Sequence, residues 1–165
     1  MTHKKKRIII FTDGACKGNP GPGGYGILMK LEDSAYQKSF YEGFRRTTNN
    51  RMELMAVVEA LKKIKKPGEE VFVVTDSKYI SDALNKGWLE KWKANGFKKI
   101  KNPDLWKALA EELDKHKVHF EWVKGHNKHP ENEYCDRLAG KAASQPKHKL
   151  KRDVFYEKHH PEVQK

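Results

Sequence analysis

The sequence holds two cysteines, Cys16 and Cys135, far apart in the chain. They supply neither a disulfide framework nor the paired spacing of a zinc site, so free thiols in a reducing compartment are expected. No apolar run approaches the roughly 20 residues of a membrane span, and no repeat marks a solenoid. The apolar stretch Ile8 to Phe11 is too short for a signal-peptide core and lacks a small-residue cleavage site. Export is therefore not expected, and a cytoplasmic location is. Acids are also missing from particular places. Residues 1 to 7 carry four basic side chains and no acid; residues 86 to 101 carry six against one; residues 145 to 165 carry six against three. These three segments account for the whole net charge of +12, leaving the remaining chain neutral. A neutral body with three basic segments implies a polyanionic partner.

What is present reads as one domain of 165 residues, large enough for a proper core. Arg7 to Thr12 is a β-branched strand pattern that Asp13-Gly14 is expected to stop. GNPGPGGYG, residues 18 to 26, reads as a tight turn, followed by alternating segments Tyr25 to Leu31 and Ala35 to Phe44 that suit antiparallel strands. Thr47, Thr48 and Asn49 offer caps for a helix whose Leu54, Val57, Val58, Leu61 and Ile64 recur at helical spacing until Pro67-Gly68. Val71 to Thr75 is a wholly apolar strand, as expected of one buried on both faces. Further helices are read at Ser77 to Leu84, Asp104 to Lys115 and Glu131 to Ser144, with a strand at Val118 to Val123 and a basic, aromatic excursion at Trp88 to Ile100. After Gln145-Pro146 the chain turns polar, and residues 145 to 165 read as a basic mobile tail. Residues 1 to 6 read as a basic extension, with one domain over 7 to 144.

An opening meander followed by alternating strands and helices predicts an α/β fold. Its mixed sheet has five strands, the first and fourth parallel neighbours, flanked by helices. Asp13 and Asp76 would then leave the sheet side by side, where ligands of open α/β sheets bind. Glu53 and Asp136 each border the apolar stripe of a helix, about 100° from Leu54 and Cys135 respectively. Four carboxylates gathered from distant positions repel one another and resist burial, so a fold that collects them supplies a cation. Oxygen donors without a cysteine cluster select Mg²⁺, with Mn²⁺ as substitute.

The segments FTDGACKGNPGPGGYG, RRTTNNRMELMA, TDSKYI, NPDLW and EWVKGHNKHPENEYCDRLA resemble, in order and spacing, the motifs of type 1 ribonuclease H. The resemblance runs over about residues 7 to 144. It implies the ribonuclease H-like fold and an endonuclease that cuts the RNA strand of RNA·DNA hybrids, leaving 5′-phosphate and 3′-hydroxyl ends. It further implies that Asp13, Glu53, Asp76 and Asp136 hold two Mg²⁺ ions with substrate bound, and that His126 assists proton transfer or product release. Substrate contacts are implied for Asn19, Asn49 and Asn50 at the minor groove. Arg46, Thr48 and Asn102 are implied at a phosphate of the DNA strand, and Trp88 and Trp92 along that strand. Lys78 stands where many relatives carry a neutral amide. The helix-capping role of Thr48 and Asn49 and the packing role of Trp88 and Trp92 stand beside these functional ones. No protein partner is implied, and a monomer is expected.

Two other functions suit parts of this pattern. Resolvases and integrase cores place acidic metal clusters on the same architecture, and a binding module without catalysis would use the same basic segments. TTNNRMEL together with NPDLW favours hybrid recognition over the first, and four intact acids favour catalysis over the second. The glycine-rich loop lacks the Lys-Ser/Thr ending of a nucleotide phosphate loop.

Overall fold

In a computed structural model that describes residues 6–124 and 129–162, five strands form one sheet. They are β1 (Ile8–Cys16), β2 (Gly21–Leu31), β3 (Gln37–Thr47), β4 (Glu70–Thr75) and β5 (Lys117–Trp122), in the spatial order β3-β2-β1-β4-β5. The β1–β2 and β2–β3 pairs are antiparallel, whereas β1–β4 and β4–β5 are parallel. Parallel neighbours need long crossovers. These are supplied by α1 (Asn49–Lys62) before β4, and by α2 (Lys78–Asn85), α3 (Trp88–Ala94) and α4 (Pro103–Leu113) before β5. Then follow α5 (Pro130–Ala143) and α6 (Val154–His159). The mixed α/β sheet expected from the sequence is the one observed. No helix among the described residues is long and apolar enough to cross a membrane.

Strand alternation divides the interior in two. Ile10, Ile27 and Val73 join Met52, Leu54, Val57 and Leu61 of α1 and Trp106 and Leu109 of α4 in the larger cluster. Their chain neighbours Phe11, Leu28 and Val74 join Cys135 of α5 in the smaller one. The two helices α1 and α5 therefore cover opposite faces of the sheet.

Four local expectations are corrected. First, β1 does not stop at Asp13: it runs on to Cys16, because β2 continues to pair with it after β4 has ended. Second, Gly21–Gly26 is not turn but the start of β2. Its glycines serve helix contact: a Cβ on Gly24 would lie 2.7 Å from the Ala139 carbonyl oxygen, and one on Gly26 would strike that of Cys135. The α5 backbone thus lies directly against the sheet. Third, Trp88 to Ala94 forms a helix, whose Leu89 is buried and whose Trp92 rests on Trp106 at a ring separation of 5.1 Å.

Fourth, residues 146 to 160 are packed rather than loose. Lys147–Lys149 makes one 3-10 turn, and Lys151 bonds along β3, donating its amide to Gly43 at 2.9 Å and accepting that of Arg45 at 2.9 Å. Asp153 then caps α6, and Tyr156 is buried. The anchor is ionic. Arg51, only 1% exposed, directs its guanidinium at Asp153 (2.7 and 2.9 Å) and Asp104 (2.9 and 2.8 Å). Thr47 Oγ1 donates a further bond to Asp153 at 2.7 Å. Burial alone would lower the Arg51 pKa, but the hydrogen bonds it donates to both carboxylates outweigh it and hold the group firmly charged.

Candidate metal centre and nucleic-acid interface

The parallel register between β1 and β4 ends at Phe11 opposite Val74. Two residues further along each strand come Asp13 and Asp76, so strand pairing alone sets these carboxylates side by side. Both share the parity of Phe11 and Val74, which puts them on the α5 face. Asp76 directly precedes Ser77, whose hydroxyl caps α2 by accepting the Ile80 amide at 3.2 Å.

Glu53 arrives from α1, and two devices position it. Thr48 caps the helix, accepting the Arg51 amide at 3.2 Å, while Asn49 Nδ2 donates to Glu53 Oε1 at 3.4 Å. Asn19 ties the β1–β2 loop to the same turn, its Oδ1 accepting the Asn49 amide at 3.2 Å. The second device is Gly14. A Cβ there would sit 2.5 Å from the Glu53 amide nitrogen and 2.7 Å from the Met52 carbonyl carbon. Only a residue without a side chain lets α1 cross β1 this closely.

Asp13, Glu53 and Asp76 consequently bring carboxylate oxygens within 4.8 Å of one another, with Asp13 buried and the other two half-buried. Adjacent oxygens around an octahedral Mg²⁺ at about 2.1 Å lie about 3 Å apart and opposite ones about 4.2 Å, so three hard donors at this spacing fit that ion with a small inward movement. Three anions so close favour a cation over mutual ionisation in its absence.

Asp136 does not join this triad. It is exposed, further out than its position beside the α5 stripe predicts. Its helix is nonetheless pinned at the site: Asn132 Nδ2 donates to the Val74 carbonyl at 3.2 Å, and Cys135 Sγ donates to that of Phe11 at 3.2 Å. Asn132 and Asp136 are four residues apart and share a helix face. Asp136 is accordingly exposed on the part of α5 that is pinned to Phe11 and Val74. Burial, and then the charge of Asp13, pushes the Cys135 thiol up to about 12, which makes it a packing group and not a nucleophile. His126 lies outside the described residues.

The expected substrate contacts separate by surroundings. Asn19, Asn50 and Lys78 are exposed near the triad, and Asn49 is half-buried. Trp88 is 38% exposed with the Lys86 ammonium 5.1 Å over its ring, whereas Trp92 is turned inward. Asn102 is committed to the protein: it accepts from Arg51 at 3.2 Å and donates to the Tyr79 hydroxyl at 2.9 Å. Arg46 donates to the His160 carbonyl at 2.6 Å, lies 3.4 Å from Glu162 and covers the Tyr156 ring. Sequence reasoning missed Arg51, Asp104, Asp153 and Asn132. One signal was available: Arg51 falls three residues before Leu54 and seven before Val58, on the apolar stripe of α1, where a charge requires a counterion.

Acids carried by neighbouring parallel strands, joined by a third from a crossover helix, are a donor set that could hold a metal ion on an α/β sheet, the chemistry of a hydrolase. The family model described as RNase H matches residues 5–144. The chain belongs to the ribonuclease H family of enzymes. It is 48% identical over 162 residues to the ribonuclease H of Rippkaea orientalis, covering 95% of this chain and 96% of that one. With the ribonuclease H of Klebsiella pneumoniae it shares 50% identity over 146 residues, 86% and 92% of the two chains. Among solved structures it is similar to LC9-RNase H1, a type 1 enzyme with a type 2 active-site motif. That match has a TM-score of 0.75 and 31% identity, and covers 99% of this chain and 84% of that one. LC11-RNase H1 in complex with an RNA/DNA hybrid superposes with a TM-score of 0.58 at 27% identity, covering 82% and 96%.

Proposed function

We propose that the protein is an endonuclease that hydrolyses the RNA strand of RNA·DNA hybrids with the help of two Mg²⁺ ions, leaving 5′-phosphate and 3′-hydroxyl ends. The observation that carries this is the triad of Asp13, Glu53 and Asp76, whose oxygens lie within 4.8 Å of one another. These three, with Asp136, would hold the ions. Bound Mg²⁺ would lower the pKa of an attacking water and neutralise charge on the leaving 3′ oxygen. The chain's own task is positioning. Asn49 orients Glu53 through its amide, and Gly14 fixes how closely α1 approaches Asp13.

His126, which falls between β5 and α5 in the sequence, would carry the proton traffic of the leaving group, a task that suits an imidazole. Asn19, Asn49 and Asn50 would meet 2′-hydroxyls, since short neutral donors suit a shallow minor groove. Arg46, Thr48 and Asn102 would face a DNA-strand phosphate, with Lys78, Trp88 and Trp92 along the duplex. A monomer in the cytoplasm fits this work.

The test is a panel of uniformly labelled RNA·DNA, RNA·RNA and DNA·DNA duplexes, incubated with Mg²⁺ or chelator, with Asp13→Asn alongside. Cleavage of hybrid RNA alone, only with metal, and not by a folded Asp13→Asn protein is expected. Cutting in chelator, or turnover near that of the parent in the variant, would refute it.

A further inference from the structure

The segment KHKLKR, residues 147 to 152, carries four basic side chains plus His148 and no acid. Nothing in the proposed chemistry uses it. It is nevertheless fastened along the outer edge of the sheet, for Lys151 exchanges backbone bonds with Gly43 and Arg45 and its ammonium meets Glu42 at 3.0 Å. A fixed backbone turns a basic stretch into an oriented surface. Lys147 and Arg152 of this segment, with Arg45 and Arg46 of β3, line a cleft of about 520 Å³ closed by Glu157, Pro161 and Glu162. Four cations face two carboxylates there, an excess of two positive charges.

The acids set the arginines in place. Glu157 accepts from Arg45 at 2.6 Å and lies 3.7 Å from Arg152, and the side chain of Glu157 is only 8% exposed. Glu162, by contrast, has 77% of its side chain in solvent and is the weakly held partner of Arg46. Arg152 and Lys147 are exposed. Arg45 is engaged by Glu157 and Arg46 by the His160 carbonyl, so the exposed Lys147 and Arg152 are the cations left to meet phosphate oxygens.

We infer that this cleft binds a backbone phosphate of the nucleic acid, one that lies beyond the phosphate met by Arg46, Thr48 and Asn102, with the exposed Glu162 displaced as the duplex seats. Continuity supports a nucleic-acid backbone over an unrelated anion. Three residues separate Arg46 from Asn49, at most about 10 Å of chain, and the Asn49 amide touches Glu53. A duplex lying on the acids therefore reaches the cleft without leaving the protein surface. The inference rests on the proposed hybrid specificity.

The experiment measures hybrid binding in chelator, where no cutting occurs, as a function of salt. It compares the full chain with Lys147→Gln/Arg152→Gln, and with Lys65→Gln/Lys66→Gln, in the segment after α1, as a control of equal charge loss. Each lost phosphate contact lowers the log–log salt slope by about 0.9. The Lys147→Gln/Arg152→Gln variant is expected to lose about 0.9 of slope and several-fold in affinity, with the penalty in cleavage appearing in KM. The control is expected to keep the parent slope. A folded Lys147→Gln/Arg152→Gln variant with the parent slope, or one matched by the control, overturns the inference while leaving the hybrid assignment intact. A parent that fails to bind hybrid at all removes both.

Discussion

The Arg51 node lets stability be worked from geometry. Replacing Arg51 by Met removes one cation from between two carboxylates and leaves the Asp153 side chain, 2% exposed, without its ion pair. Removing one partner of a buried pair costs about 3–5 kcal/mol. Replacing Asp153 by Asn is milder, because Arg51 keeps both bonds to Asp104 and the new amide can still accept from Thr47. The loss is then that of charge-assisted hydrogen bonds, about 1.5–3 kcal/mol. In a domain of this size about 4 kcal/mol lowers Tm by about 8–16 °C. Urea titrations followed by circular dichroism should therefore rank the variants parent, Asp153→Asn, Arg51→Met in falling midpoint. Deletion from residue 147 should cost at least as much as Asp153→Asn, since it takes the same carboxylate together with the buried Tyr156. If Asp153→Asn proves worse than Arg51→Met, or if both cost less than about 1 kcal/mol, the ionic anchor does not hold this segment.

Two further outcomes follow from the site and from the cleft. Gly14→Ala places a methyl 2.5 Å from the Glu53 amide and should push the start of α1 outward by about 1 Å. A displacement of that size costs about 10²-fold in rate, so kcat should collapse while the far-ultraviolet spectrum is retained; a variant with parental kcat would show that the close crossing does not position Glu53. Glu157 is held below the ordinary carboxylate range by its hydrogen bond from Arg45 and by the charges around it. A depressed folded pKa contributes stability above the unfolded value of about 4.3 that is lost as pH falls through the folded one. The Tm difference between parent and Glu157→Gln should be constant above that range and shrink below it; a difference that persists at the lowest pH would contradict the shift.

The site was legible through strand pairing. Asp13 and Asp76 each follow an apolar run, and parallel pairing of those runs is enough to bring them together. Glu53 was legible through the helical period of Leu54, Val57 and Leu61. The exposure of Asp136 was not legible, because α5 is seated by contacts between glycine and helix backbone that leave no hydrophobic pattern. The same glycines were misread as a turn: Gly24 and Gly26 are small to admit a helix, not to bend the chain. Residues 146 to 160 escaped for a related reason. Their anchorage rests on one aspartate, one tyrosine and backbone bonds to β3, none of which is periodic. Their key partner, Arg51, sits 102 residues earlier.

That separation also has a meaning for how the molecule is born. A ribosome adding 5–20 residues per second needs roughly 5–20 s to travel from Arg51 to Asp153. For about the first half of that interval the arginine destined for the interior lacks both counterions, and for the second half it has only Asp104, while the turn that carries Glu53 begins beside it. Residues 5–144, which the family signature matches, are thus not the whole of the cooperative unit. The interior is complete only when a carboxylate from beyond that boundary has been synthesised.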